Sequence, residues 1–458
     1  MSAEGRKSQQ ASAADRTKAW SPNHSPFSTK MSALIARAKQ IRNKPIKTLA
    51  HFMDEEWLQE SWNRLRKGAS AGIDAVNAKE YAATLNANLN NLRQKLRVGQ
   101  YKPLPVKRVY IPKADGKQRP LGLPTIEDKI AQNAVGMIFT AIYEQDFLSS
   151  SYGFRPGRNA HQAIEGVKSA IAKGKVSWVL DVDIQSFFDT LNHEWLMKFI
   201  CHRIADKRLQ NLIQKWLKVG VLEDGKLIKP SSGSPQGGVI SPILANIYLH
   251  YVLDVWIDKI VKPRMKGEMY NFRYADDNLF CFQLKVDALK FQSVLKKRLE
   301  KFGLKLNENK TKLCRFGKYA KQNAVKCNER RATFNFLGFT FYNGISRNGK
   351  YKVSCRTQSD RLSAAMNRIT IWCKDNRHQE IAWQARYLNA VLRGHYHYYG
   401  VTGNFPSISA FYRHLVEVWR KYLSKRSQRA NLSWEKFNAL LGSYPLIKPF
   451  LPKSIFAK

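Results

Sequence analysis

At 458 residues the chain is long enough for two to four domains with sizeable cores, and its 77 Lys plus Arg against 35 Asp plus Glu give a formal charge of +42. A surplus that large repels itself unless a polyanion lies against it, and the 12% aromatic content supplies rings able to stack on bases. The balance argues against a merely soluble basic globule and for a nucleic-acid partner. No apolar run reaches membrane-spanning length, and the N-terminus lacks the basic-then-apolar plan of a secretion signal. The six cysteines (Cys201, Cys281, Cys314, Cys327, Cys355 and Cys373) include no C-x-x-C pair, which leaves out the usual zinc spacing. We expect a soluble, cytoplasmic protein with reduced thiols and no membrane partner.

Residues 1–30 are rich in Ser, Ala, Gln and Lys with little apolar periodicity, the composition of a disordered basic tail. Over 31–70 apolar residues return at helical spacing (Leu34, Ile35, Ala38, Ile41, then Leu49, Phe52, Met53, Trp57), which predicts a helical N-terminal extension. Ala71-Gly72-Ile73-Asp74 predicts a turn before a helix reaching about residue 96. Residues 106–120 then read as strand, Asp-Gly turn and strand. That hairpin gathers Lys113, Lys117 and Arg119 around its tip, where cations suit a triphosphate, Arg through its bidentate fork and Lys as a point charge. Solvated hairpin charges are the plainer alternative. Thr125 is placed to cap a helix over 126–143. In Ser151-Tyr152-Gly153-Phe154-Arg155-Pro156-Gly157-Arg158-Asn159 the glycines and proline fix a loop carrying Arg155 and Arg158, either phosphate contacts or structural partners of acids.

Residues 176–184 are β-branched and aromatic, a buried strand with Asp181 and Asp183 on one face at its C-terminal end. The glycines of Gly233-Ser234-Pro235-Gln236-Gly237-Gly238 let backbone approach a neighbour closely, and an apolar helix over 243–256 follows. Phe272-Arg273-Tyr274-Ala275-Asp276-Asp277-Asn278-Leu279-Phe280 sets two adjacent acids between apolar runs, a β-hairpin with both carboxylates at its tip. Such a pair repels itself and calls for a neutraliser. Mg²⁺ is the usual one, taking carboxylate oxygens while keeping places for phosphate; a polar turn is the bland alternative. One acid at a strand end with two on a hairpin is the plan of a two-metal phosphoryl-transfer site, its ions about 3.5–4 Å apart. A helix over 286–302, a glycine stop at Gly303, and a short strand and turn carrying Lys310 come next. Phe334-Asn335-Phe336-Leu337-Gly338-Phe339 reads as a hairpin. From Arg361 the pattern is helical, with apolar stripes Leu362/Met366/Ile369/Cys373, Trp383/Tyr387/Leu388/Val391 and Phe411/Leu415/Val418/Tyr422. Arg368, Lys374, Arg386, Arg393, Arg413 and Arg420 fall on the polar faces, and His395 and His397 read as stacking or core residues, with no third ligand for a metal pair.

Tyr274-Ala275-Asp276-Asp277 behind an aspartate-ended strand resembles the palm of a reverse transcriptase. The run over 233–249 closely resembles the template-facing motif of group II intron reverse transcriptases, which are also maturases, and the similarity extends over roughly 50–450. The resemblance implies an α+β chain with a right-hand polymerase fold: fingers and palm with antiparallel sheet over 71–345, then an all-α thumb/maturase domain over 346–458. It implies an RNA-directed DNA polymerase with Asp183, Asp276 and Asp277 as catalytic carboxylates and Lys310 as a candidate general acid near the leaving pyrophosphate. Two Mg²⁺ ions would be held by those aspartates and the Ile184 carbonyl, leaving Asp181 and Asp189 structural. Lys113, Lys117, Arg119 and Gln236 would bind the nucleotide, and Phe188, five residues beyond Asp183, would lie under the sugar and block a 2′-OH. Phe187 is the neighbouring alternative. Arg155, Arg158, Arg393, Arg413 and Arg420 would bind nucleic acid. The implied partners are an RNA template with DNA primer, dNTPs, target DNA, and a group II intron RNA whose splicing and retromobility the protein promotes. Many members continue into a DNA-binding segment and a Cys-bearing nuclease domain, for which this chain has no room, so second-strand cleavage is not expected. Two alternatives stay open: a splicing cofactor with an idle polymerase, and a related enzyme recruited by a host for defence or repair.

Overall fold

The computed structural model describes residues 26–42, 44–112, 118–223, 226–228, 233, 237–320, 332–346, 348–427 and 432–452. The expected tail lies outside these residues except for 26–30, which are already helical. Helix α1 (Pro26–Gln40) buries Met31, Leu34 and Ala38, a three-to-four-residue stripe. α2 (Glu55–Arg64) is capped by Asp54, which accepts from the Trp57 N–H at 3.0 Å. The helix expected up to residue 96 is two, α3 (Ala78–Ala83) and α4 (Leu85–Arg97), because Thr84 leaves helical geometry at φ −126°, ψ 40°. α5 (Ile126–Tyr143) starts at the Thr125 cap as expected, is apolar nearly all round, and is packed on by α1 and α2.

Strands β1 (Val106–Pro112) and β2 (Gln118–Leu123) form the antiparallel hairpin expected there. They join β4 (Val221–Glu223) and β5 (Lys226–Ile228) in a sheet of order β2-β1-β4-β5, β1 and β4 running parallel. A second sheet has the order β6-β7-β3-β8, wholly antiparallel: β3 (Trp178–Val182), β6 (Met269–Tyr274), β7 (Asp277–Phe282) and β8 (Lys312–Arg315). A third, β11-β10-β9, comprises β9 (Phe334–Phe336), β10 (Phe339–Ile345) and β11 (Tyr351–Thr357). The remaining helices are α6 (Ala160–Lys173), α7 (Phe187–Thr190), α8 (His193–Arg203), α9 (Lys207–Lys218), α10 (Ser241–Leu249) and α11 (Lys285–Lys301). After them come α12 (Ser359–Asp375), α13 (Ile381–Tyr399), α14 (Phe405–Leu423) and α15 (Trp434–Ser443). The sheets are antiparallel but for the β1–β4 pairing, and the last four helices follow every described strand, so the fold is α+β. No described helix is long and apolar enough to cross a membrane.

Two of the three C-terminal stripes pack as expected. The second is rotated: α13 buries Gln384, Ala385, Leu388, Leu392 and Tyr396, leaving Trp383 and Tyr387 outward. That helix is aromatic on several faces, so spacing alone did not select the buried one.

The N-terminal helices are tied to the body by buried charge. Arg203 pairs with Asp146 at 2.6 Å and donates to the Ala38, Ile41 and Lys44 carbonyls at 3.2, 2.6 and 2.7 Å, closing off the C-terminal end of α1. Asp206 accepts three backbone N–H groups, from Leu49 and Ala50 at 2.8 Å and Arg208 at 2.9 Å. Burial alone would raise its pKa, yet these donors outweigh burial and hold it below the usual value of 3.8. A folded-state pKa below the unfolded one stabilises the protein above pH 3.8, and that contribution is lost as pH falls through the folded value. At pH 7, Asp206→Ala should therefore cost about 1–2 kcal/mol. Hydrogen exchange should show lost protection at Leu49 and Ala50; unchanged protection there would refute the tether.

Candidate active site

The acids meet at the C-terminal end of β3. Asp183 follows that strand directly, and the chain stays extended: Ile184 bridges antiparallel to Leu306. The bridge bonds are Gln185 N–H to the Lys305 carbonyl and Asn307 N–H to the Asp183 carbonyl, both 2.9 Å. Both come from the neighbours of Ile184, so its own carbonyl is directed away from the 304–307 segment. Asn307 also donates its side-chain amide to Asp183 Oδ2 at 2.8 Å, and Lys310 Nζ stands 3.8 Å from the same oxygen. The segment beyond Gly303, which turns at φ 73°, thus delivers Lys310 to Asp183.

The second component is the β6–β7 hairpin. Tyr274 pairs with Asp277 across a two-residue turn, Ala275-Asp276, with Ala275 at φ 57°. A non-glycine residue there is strained and persists only where its surroundings hold it. Arg273 Nη1 donates to the Ala275 carbonyl at 3.2 Å, and Asn278 Nδ2 to the Asp276 carbonyl at 2.8 Å. Gly153 packs so closely that a Cβ would lie 2.3 Å from the Ala275 nitrogen. Behind the turn, buried Arg273 pairs with buried Asp254 at 2.8 and 2.5 Å and donates to Asn246 Oδ1 at 2.8 Å. Register does the rest: Val182 opposite Asn278 brings Asp277 alongside Asp183.

The electrostatics record the crowding. Asp277 is exposed by surface area but enclosed by surrounding protein, as a group at the bottom of an open site is. That loss of solvation, then the charges of Asp276 and Asp183, push its pKa up to about 7. Arg361, in the first turn of α12, and Lys310 pull it back down. Asp181 is likewise raised to about 7, by burial first and then by Asp277 and Asp183, against Lys312. Four acids held this close favour a polyvalent cation over independent ionisation.

Residues 111–341 match the model of the reverse transcriptase (RNA-dependent DNA polymerase) family, half of the chain. Protein YkfC of Escherichia coli strain K12 is 38% identical over 294 residues, 56% of this chain and 76% of that protein. The chain belongs to the reverse transcriptase family. It is similar to group II intron-encoded protein LtrA of Lactococcus lactis subsp. cremoris, 44% identical over 163 residues, 35% of this chain and 27% of that protein. A putative COX1/OXI3 intron 1 protein of Saccharomyces cerevisiae is 35% identical over 182 residues, 40% of this chain and 22% of that protein. The chain thus spans about a quarter of the length of these two relatives.

In this reverse transcriptase the loop over 151–159 supports the β6–β7 hairpin. Ser151 bridges Arg273, Tyr152 N–H donates to the Arg273 carbonyl at 2.8 Å, and Asn246 Nδ2 donates to the Gly153 carbonyl at 2.8 Å. Arg155, expected as a phosphate contact, is instead buried: its guanidinium pairs with Glu144 at 2.9 Å and donates to the Leu148 and Ser151 carbonyls at 2.7 Å. Arg158 is half-buried over the Tyr152 ring at 5.4 Å. Phe187 is buried and Phe188 half-buried, edge to face at 5.3 Å, below a left-handed kink at Ser186 (φ 46°).

Gly237, at φ 105°, would place a Cβ 2.4 Å from the Gly122 carbonyl, so this glycine lies against the first sheet. Lys113, Lys117 and Gln236 lie outside the described residues. Arg119 sits opposite Ile111 on β2. Arg393 and Arg413 are exposed, whereas Arg420 donates to the Leu432 carbonyl at 2.8 Å and lies 4.3 Å over the Trp434 ring. Arg420 is therefore a tie between α14 and α15 rather than a free cation. His395 stacks on Phe411 at 4.0 Å and burial takes its pKa down to about 4; His397 is exposed beside Phe450.

Sequence reasoning passed over Asp254 and Arg273 as a pair, although opposite charges in two apolar runs were a usable signal. For Arg361 there was none, since it lies in the first turn of α12, far along the chain from Asp277.

Proposed function

We propose that the protein extends a DNA primer on an RNA template by metal-assisted nucleotidyl transfer, in a right-hand polymerase arrangement. The first sheet would serve as fingers, the second as palm and the C-terminal helices as thumb. The observation that carries this is the convergence of Asp183, Asp276 and Asp277 beside Lys310 at one end of the two central strands of an antiparallel sheet. Among the described residues no three His, Cys, Asp or Glu side chains form a ready-made metal cage. That fits Mg²⁺, which binds through one or two carboxylates plus substrate phosphates and keeps part of its own shell. Asp183, Asp276, Asp277 and the Ile184 carbonyl are the hard oxygen donors that would hold two ions. When bound, such ions activate the primer hydroxyl and neutralise charge on the transferred phosphate.

The chain's own groups do the remainder. Lys310 presents an ammonium beside Asp183, placed to hold a proton for the leaving pyrophosphate. Lys113, Lys117 and Arg119 would clamp the triphosphate, and Gln236 would lie by the template and nucleotide. Arg158, Arg393 and Arg413 would meet nucleic acid, with the surplus of +42 favouring a polyanion throughout. An intron RNA as natural partner, with target DNA for its mobility, is supported by relatives whose names are intron-encoded proteins and an intron maturase. The test is primer extension on an RNA template with Mg²⁺ present or chelated. Extension only with Mg²⁺ is expected, and none under either condition refutes the reading.

Phe188 is the better sugar gate because Phe187 is wholly in the core. A ring under C2′ leaves no room for a hydroxyl, so Phe188→Val should raise ribonucleotide incorporation relative to deoxyribonucleotide by about 10-fold or more. Unchanged sugar discrimination in single-nucleotide assays would place the gate elsewhere.

A further inference from the structure

The C-terminal helices carry an aromatic cluster that the catalytic centre does not use. Trp372 of α12 stacks face to face on Tyr387 of α13, centroids 4.1 Å apart and planes 6° apart. Trp383, one turn earlier on α13, lies 5.6 Å from Trp372 at 22° and 6.3 Å from Tyr387 at 19°. These distances close a triangle rather than a line, so Trp383 sits beside the stacked pair and does not cap it. Outward area remains: Trp383 is 40% and Tyr387 39% exposed, with Ile371 at 58% next to Trp372. The opposite faces of the same helices form the C-terminal core, through Ile369, Cys373, Ala385, Leu388 and Leu392. Trp383 and Tyr387 thus turn outward while Trp372 packs on that core and backs them, an exposed aromatic patch that marks a surface with a partner.

The charge around the rings selects that partner. Arg368 and Lys374 lie one turn either side of Ile371, and Arg386 adjoins Tyr387; all three are exposed. Arg368 is close enough to act on the Tyr387 hydroxyl. Only Asp375 and Glu380 stand against them on the adjoining turns. A second copy of the chain would set these cations against themselves across a two-fold interface. Paired nucleic acid hides its base faces. Flat parallel rings bordered by cations match unpaired nucleotides, whose bases stack on any aromatic face while their phosphates meet Arg and Lys.

We propose that the Trp372–Trp383–Tyr387 face is a stacking platform for unpaired bases of a bound RNA, separate from the polymerase site. The proposal rests on the RNA-binding reading above and adds to it a place and a form of RNA. The test uses the full chain with two labelled probes, a short single-stranded oligoribonucleotide and a fully paired RNA duplex of the same length, titrated over a range of salt. For Trp383→Ala/Tyr387→Ala we expect single-strand affinity to fall about tenfold or more and duplex affinity to stay within about twofold. The slope of log affinity against log salt should not change, because no phosphate contact is lost. Arg368→Gln/Arg386→Gln should flatten that slope instead. Trp383→Phe/Tyr387→Phe, which keeps the ring stack on Trp372, should restore single-strand binding and melt like wild type. Equal losses on both probes, or no loss, overturn the platform while leaving RNA binding standing. A monomer–dimer equilibrium abolished by the alanine pair reassigns the face to a second copy. If the wild-type chain binds neither probe, the broader RNA reading fails with it.

Discussion

Replacing Asp277 with asparagine will abolish primer extension and, in the same protein, raise the melting temperature measured in EDTA at pH 8. The loss follows from the donor set: a neutral amide cannot hold a cation pair against substrate phosphates, and extension should fall by ~10³-fold or more. The gain follows from linkage. Asp277 has a folded-state pKa of about 7 against an ordinary 3.8, raised by lost solvation and by Asp276 and Asp183. The folded state therefore binds the proton more tightly than the unfolded state, and between pH 4 and 7 stability falls as pH rises. At pH 8 without cation that penalty is complete, and asparagine removes it. Mg²⁺ should raise the wild-type melting temperature more at pH 8 than at pH 6, and raise that of the variant little. RNA affinity should stay within about twofold, because polyelectrolyte binding tracks the cations. A variant that still extends primers, or that melts lower than wild type in EDTA at pH 8, contradicts this account.

The second large effect concerns the support behind the turn. Arg273→Leu strands the buried Asp254 carboxylate and releases the Asn246 and Ala275 acceptors, a change of about 3–5 kcal/mol in denaturant unfolding. Arg273→Met combined with Asp254→Leu removes both charges and should recover most of that stability. It should not recover synthesis, because the Ala275 carbonyl at φ 57° loses the donor that holds the Asp276-Asp277 turn in place. The readout is the pairing of near-wild-type stability with extension reduced by about tenfold or more. A single variant within 1 kcal/mol of wild type, or a fully active double variant, would show that the hairpin holds its shape unaided.

Local signals read true. The Thr125 cap sets the start of α5 because its hydroxyl accepts from Asp128 N–H, three residues on, and needs nothing distant. The hairpins at 106–123, 272–280 and 334–339 follow from alternation and turn chemistry within a few residues. Asp183, Asp276 and Asp277 were legible for the same reason, each closing or opening an apolar strand. The direction of a side chain was less legible. Arg155 on its loop was open to a phosphate or to an acid, and Glu144, at the end of α5, takes the guanidinium inward. Arg420 likewise met the Leu432 carbonyl and the Trp434 ring. Trp383 and Tyr387 sat in an apolar stripe of α13, yet the face that helix buries is the neighbouring one, through Gln384, Ala385, Leu388, Leu392 and Tyr396.

Residue order and chemistry alone settled which acids are held at strand ends, that a polyanion must meet the +42 surplus, and that a sheet-bearing body precedes a helical third. Those features depend on contacts within a turn of helix or a hairpin. Tertiary structure alone decided that Asp181 shares the field of Asp277, that Arg361 acts on the Asp277 carboxylate from α12, and that Arg273 and Asp254 clamp the turn from inside. Each of these is a charge interaction between segments far apart in the chain. Its strength depends on distance and on excluded water, and neither exists until the sheets and helices have packed.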